Sequence, residues 1–150
     1  MSTGSRWGKM GWFWSDKSKR LGRRQKAEEM EIHYYRDLIV WQKSIQMVKE
    51  LYSITRDFPK EEIYGLTSQI RKSAVSVPSN IAEGYGRNST NDYIRFLQIA
   101  CGSLYELQTQ MEIAVNLNYL SKEKSESIFK LSNEIERMLN SLLRKLTNHT

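Results

Sequence analysis

Apolar residues recur every three or four positions along most of this chain, and that period commits it to helices. The sharpest case is Leu97, Ala100, Leu104, Leu107, Met111 and Ala114, in steps of 3, 4, 3, 4 and 3. At about 3.6 residues per turn such a row falls on one helix face and can be buried as a stripe. The 150 residues contain only two prolines, Pro59 and Pro78. Proline removes a backbone donor and crowds the preceding turn, so its scarcity leaves room for long helices.

Four helical segments are expected. The first spans about residues 37–56, with Asp37 as its N-cap and Leu38, Trp41, Ile45, Val48, Tyr52 and Thr55 as its buried stripe. Phe58 and Pro59 end it, because the residue before proline is driven out of the helical region. The second spans about residues 60–85, with Pro59, Glu61 and Glu62 at its start and Ile63, Leu66, Ile70, Ala74, Val77 and Ile81 on its inner face. Pro78 should bend it near Ala74, and Gly84 and Gly86 let the chain turn. The third spans about residues 90–117, capped by Ser89 with Asp92 three residues on. Its small residues Ala100, Cys101, Gly102 and Ser103 fall at one level, where a neighbouring backbone can come close.

The fourth segment spans about residues 121–146, is capped by Ser121 and carries two apolar rows. Ile128, Leu131, Ile135, Met138 and Leu142 form the core stripe. Phe129, Leu139, Leu143 and Leu146 form a second. Helices of ~25 residues are ~38 Å long. Joined by short loops, four of them make an all-α, antiparallel up-down-up-down four-helix bundle over residues 31–150. The second row and the small-residue belt leave surface for sister copies, so a homo-oligomer is expected.

Composition narrows the function classes. With 39% hydrophobic and 11% aromatic residues, the chain is too apolar to be wholly disordered. No apolar run approaches the ~18–20 residues that span a bilayer. Cys101 is the one cysteine, which excludes an intrachain disulfide and fits a reducing, cytoplasmic setting. One cysteine and two histidines are too few for a Cys/His zinc site within one chain. There is no phosphate-cradling glycine loop, no HExxH and no catalytic triad, so no cofactor and no metal are expected.

The charge is uneven. The net charge is +6, of which residues 1–30 carry +5 through eight basic and three acidic side chains. Residues 31–150 are close to neutral, which weakens any argument from charge to nucleic-acid binding by the bundle itself. The basic tail also holds Trp7, Trp12, Phe13 and Trp14. Gly8, Lys9 and Gly11 interrupt these aromatics, so the tail is no secretory signal. It reads as a disordered extension, with Met30 as an alternative start. Competing readings are a nucleic-acid arm, an interfacial membrane anchor and a partner-binding peptide.

The middle of the chain resembles a known family. Residues 71–87 read Arg71-Lys72-Ser73-Ala74-Val75-Ser76-Val77-Pro78-Ser79-Asn80-Ile81-Ala82-Glu83-Gly84-Tyr85-Gly86-Arg87. That run is similar to the signature of the four helix bundle proteins also described as 23S rRNA intervening-sequence proteins. Tyr35-Arg36-Asp37-Leu38 with Val40-Trp41-Gln42-Lys43 looks like the family's opening. Tyr93-Ile94-Arg95-Phe96-Leu97-Gln98-Ile99-Ala100 and Gly102-Ser103-Leu104-Tyr105-Glu106-Leu107 look like its third helix. The likeness covers about residues 34–146 and leaves residues 1–30 as an addition. It implies a small bacterial cytoplasmic protein, an antiparallel bundle and a ring-shaped homopentamer with no established enzymatic activity. Some family members are encoded inside insertions in 23S rRNA genes, and related proteins accompany diversity-generating reverse transcriptases.

Several constellations are candidates for function. Arg71, Lys72, Arg87 and Arg95 are candidate nucleic-acid contacts, acting on a polyanion through counterion release. Asn80, Glu83 and Glu106 are candidates for a structural polar network, with the carboxylates paired to Arg71, Arg87 or Arg95. Trp41, Tyr52, Tyr93, Phe96 and Tyr105 sit at helical spacing and read as core or subunit anchors. Cys101 reads as a small buried hydrophobe. Arg144 and His149 have the spacing of the Arg/His pair of HEPN-type ribonucleases, in which His acts as general base and Arg holds phosphate. The preferred reading is a non-enzymatic, ring-forming binding or scaffold bundle associated with structured RNA or an RNA-linked protein. The alternatives are a toxin-type HEPN-like ribonuclease and a purely protein-binding module.

Overall fold

The structure is a computed structural model that describes residues 33–149. The basic tail, with its expected disorder, lies outside the described residues. Four helices follow one another: α1 (Ile39–Thr55), α2 (Leu66–Tyr85), α3 (Thr90–Asn116) and α4 (Lys122–Asn148). Short 3-10 turns at Tyr35–Asp37 and Lys60–Glu62 precede α1 and α2. α1 packs on α2 and α4, and α3 packs on α2 and α4, with the α2–α3 interface the most extensive. The backbones of diagonally opposite helices do not approach closely. Short connections between neighbours give the expected antiparallel four-helix bundle.

The helix ends show local causes. The Ser89 Oγ accepts the Asp92 N–H at 3.3 Å, and the Ser121 Oγ accepts the Lys124 N–H at 3.2 Å, so both expected serine caps are in place. α1 differs. Asp37 does not cap it; Asp37 closes the preceding 3-10 turn, and its Oδ2 accepts the His33 N–H at 3.1 Å. α2 starts at Leu66 rather than at 60, because the chain spends residues 60–65 in a 3-10 helix and a hydrogen-bonded turn. The Glu62 carboxylate then caps α2 from upstream, accepting the Leu66 N–H at 2.8 Å. After α3, Asn118 takes φ 60° and the Tyr119 N–H reaches back to the Ala114 carbonyl at 2.9 Å. That is a left-handed helix stop, which asparagine tolerates better than most residues.

The stripe on α3 is buried throughout. On α2, Ile70, Ala74, Val77 and Ile81 are buried, whereas Ile63 is exposed because it precedes the helix. α2 runs unbroken through Pro78. On α1 the buried face is Val40, Ser44, Met47, Leu51 and Thr55, one position round from the expected stripe. Of that expected stripe, Leu38 and Thr55 are buried, Trp41, Ile45 and Val48 are half-buried, and Tyr52 is exposed. On α4, Ile128, Leu131, Ile135, Leu139 and Leu146 are buried, and Met138 and Leu142 are half-buried. The expected second row of α4 is thus drawn into the chain's own core, with Phe129 and Leu143 packed against it.

Gly84 does not serve as a turn. It lies inside α2, and no described glycine has positive φ. A Cβ there would fall 2.7 Å from Phe96 Cβ and 3.0 Å from Tyr93 Cδ2. Glycine is needed because α3 crosses α2 closely at this point.

Candidate functional site

The four basic candidates do not form one patch. Arg71 and Arg87 are separated by sixteen positions on and just beyond α2, roughly 24 Å at ~1.5 Å rise per residue. Arg71 is half-buried and engaged: its Nε donates to Thr55 Oγ1 at 2.9 Å, and its guanidinium lies 4.6 Å from the Tyr52 ring centroid. It therefore ties α2 to the end of α1. Lys72 is exposed. Arg87 pairs with Glu83 at 2.6 Å and lies 4.8 Å over the Phe96 ring. Arg95 is exposed on the first turns of α3.

The three polar candidates likewise separate. Asn80 Nδ2 donates to the Ser76 carbonyl at 2.8 Å and to Ser76 Oγ at 2.9 Å. Ser76 Oγ lies 2.8 Å from Ser103 Oγ, so this chain of bonds stitches α2 to α3. Glu83 goes to Arg87. Glu106 is exposed, and its Oε1 accepts from Gln110 Nε2 at 3.3 Å. No single network joins Asn80, Glu83 and Glu106.

Two surfaces emerge that the sequence pattern did not single out. The first is the outer row of α3: Arg95, Ile99, Gly102, Glu106, Ile113 and Leu117, which fall within about 60° of one another at about 100° per residue. Ile99, Ile113 and Leu117 are 41%, 43% and 50% exposed, and a Cβ on Gly102 would meet nothing within 4 Å among the described residues. The small-residue belt is therefore divided. Ala100 and Ser103 turn inward, and Gly102 faces solvent. The second is a shallow cleft of about 610 Å³ along α4, lined by Arg137, Asn140, Leu143, Arg144, Thr147 and Asn148. Arg137, Asn140, Arg144 and Asn148 recur at i, i+3, i+7 and i+11, the spacing that could have revealed them.

Arg144 and His149 are five positions apart, about 140° round the helix. His149 is the cap residue that ends α4. The pair is not brought onto one face. Cys101 is buried; desolvation raises its thiol pKa, and the nearby Glu136 charge adds to that. Trp41 and Phe96 are half-buried, Tyr93 is buried, and Tyr52 and Tyr105 are exposed. Among the described residues no group of His, Cys, Asp and Glu side chains could hold a metal ion, and no helix is long and apolar enough to cross a membrane.

Comparison with known proteins places this geometry. Residues 36–141 match the family model described as 23S rRNA-intervening sequence protein. The bundle is similar to the crystal structure of a protein of unknown function from the S23 ribosomal protein family of Bacteroides thetaiotaomicron VPI-5482. The identity is 27% and the TM-score 0.64, over 70% of this chain and 98% of that one. No curated protein matches the chain.

Proposed function

The chain belongs to the 23S rRNA-intervening sequence protein family, and from that premise we propose that it is a non-enzymatic, self-associating scaffold bundle acting on structured RNA or an RNA-linked protein. The observation that carries the self-association is Gly102. A glycine in the middle of a 27-residue helix costs roughly 0.5–1 kcal/mol against alanine, and nothing among the described residues crowds that position. A close-approaching backbone from a second copy supplies the reason, and the flanking Ile99, Ile113 and Leu117 supply apolar surface for it to cover. Arg95 and Glu106 in the same row offer opposite charges to a sister copy. A ring of five is the arrangement that the resemblance implies.

The RNA part rests on the basic cleft of α4 and on the family's name. Repetition of a weak cationic surface around a ring would add by avidity. The test is sedimentation of the full chain at micromolar concentration beside Gly102→Gln. Glutamine is a good helix former with open space in the single chain, so this variant should keep full helicity by circular dichroism and lose the oligomer. A monomeric wild type overturns the reading. Copurified RNA, sequenced and challenged with salt, tests the ligand.

A further inference from the structure

We propose that the aromatic segment at residues 7–14 of this chain docks in the groove between α1 and α2. The groove has a volume of about 280 Å³ and is lined by Tyr35, Trp41, Ile45, Val48, Val75, Pro78, Ser79 and Ala82. Its floor is the row that the α1 pattern marked for burial and that the bundle leaves half-covered. The Tyr35 and Trp41 rings meet edge to face at 5.4 Å across its upper end, and Val75 is 40% exposed along its wall.

The occupant follows from where the chain enters the fold. The described residues begin at His33, two positions before the groove residue Tyr35, so any preceding segment is tethered beside the groove. Three of the chain's four tryptophans and one phenylalanine are concentrated at residues 7–14, and the fourth tryptophan, Trp41, lines the groove. Eighteen residues separate Trp14 from His33; a random coil of that length spans about 23 Å, whereas the groove runs about 10 Å along α1 from Trp41 to Val48. The tether therefore reaches without stretching, and it holds the aromatics near the groove at roughly millimolar effective concentration. The solved relative is covered over 98% of its length by only 70% of this chain, and the family match starts at residue 36. The aromatic segment is thus an addition in a chain whose bundle keeps an apolar groove beside its attachment point. Rings in that groove would remove apolar area from water on both partners. This inference concerns α1 and α2, and it stands apart from self-association through α3.

The four tryptophans make the test direct. In the full chain, Trp7→Phe with Trp12→Phe and Trp14→Phe keeps an aromatic segment and leaves Trp41 as the sole tryptophan. Trp7→Ser with Trp12→Ser, Phe13→Ser and Trp14→Ser removes the aromatics and leaves the same reporter. Trp41 emission should be shifted to the blue in the first variant relative to the second. Its acrylamide quenching should be at least about twofold weaker, as for a half-exposed ring that becomes covered. The difference should persist on dilution. Identical spectra and quenching overturn the docking. A difference that vanishes on dilution overturns it too, because the groove is then covered by another copy.

Discussion

One substitution at two glycines separates what this bundle needs inside from what it offers outside. At Gly84 a Cβ would fall 2.7 Å from Phe96 Cβ, an atom fixed to the α3 backbone. Gly84→Ala should lower stability by about 1–3 kcal/mol, the usual range for overpacking, as read from urea midpoints at unchanged m. Gly102 has open space among the described residues, so the same change there carries no such penalty. In sequence the two read the other way round, Gly84 as a turn residue and Gly102 as part of a close-packed belt. What separates them is which helix lies opposite, and no local pattern encodes that. Cys101 was legible, because Ala100 and Gly102 beside it and the apolar stripe around it already made it a small core residue. Burial raises its thiol pKa, with Glu136 adding to the effect. The folded state thus favours the neutral thiol. That contribution is fully present below the unfolded thiol value of about 8.5 and is lost as pH rises through the higher folded value. Iodoacetamide should alkylate Cys101 slowly at pH 8 and rapidly in urea; equal rates would show that the thiol is not buried.

At the scale of helices, hydropathy located all four, began the second six residues early and mistook one face. The inner face of α1 carries Ser44, which a hydrophobic stripe passes over, and Thr55, which closed the expected stripe. Each hydroxyl is satisfied within its own helix, Ser44 Oγ by the Trp41 carbonyl and Thr55 Oγ1 by the Leu51 carbonyl, both at 2.7 Å. A self-bonded hydroxyl enters a core cheaply, so Trp41, Ile45 and Val48 were left for the groove. Ser125 and Ser132 play the same part on α4, donating to the Lys122 and Phe129 carbonyls. Two bonds between elements can be tested. Glu62 caps α2 through Leu66 N–H and accepts from the Tyr119 hydroxyl at 3.3 Å, which joins two turns at one end of the bundle. Glu62→Ala should cost about 1 kcal/mol, as the removal of a helix cap does, and Glu62→Gln should recover part of it. Lys43 and Glu134 tie α1 to α4 at 2.9 Å. The hydrogen bond from Lys43 holds the Glu134 carboxyl below its ordinary value. Its contribution is therefore present above the unfolded carboxylate range and lost as pH falls through the lower folded value. Melting curves of Glu134→Gln and wild type should converge on acidification; a gap unchanged down to pH 3 would deny the pair any role.

The whole molecule is polarised along its axis, a property that net charge conceals. The starts of α1 and α3 and the ends of α2 and α4 share one end of the antiparallel bundle. That end carries Arg36, Lys43, Arg87, Arg95, Arg144 and Lys145 against Asp37, Glu83 and Asp92. The opposite end carries Arg56, Lys60, Arg71, Lys122 and Lys124 against Glu50, Asp57, Glu61, Glu62, Glu112, Glu123 and Glu126. The near-neutral sum over residues 31–150 argues against a uniformly basic domain, yet it leaves room for a basic end once the topology folds distant arginines together. The fold itself could be read from period and capping residues; this gathering of charge could not, because Arg36 and Arg144 are brought to the same end only by tertiary structure. If RNA is the ligand, its phosphates should favour the basic end and the α4 cleft that leads to it. Arg137→Gln with Arg144→Gln, and Lys122→Gln with Lys124→Gln, remove the same two charges from the same helix at different levels. The first pair should weaken binding of a structured RNA and reduce the slope of log affinity against log salt by about one for each phosphate no longer neutralised. The second should leave both nearly unchanged. Equal losses from the two pairs would mean that only overall charge matters and that the bundle presents no oriented surface to the nucleic acid.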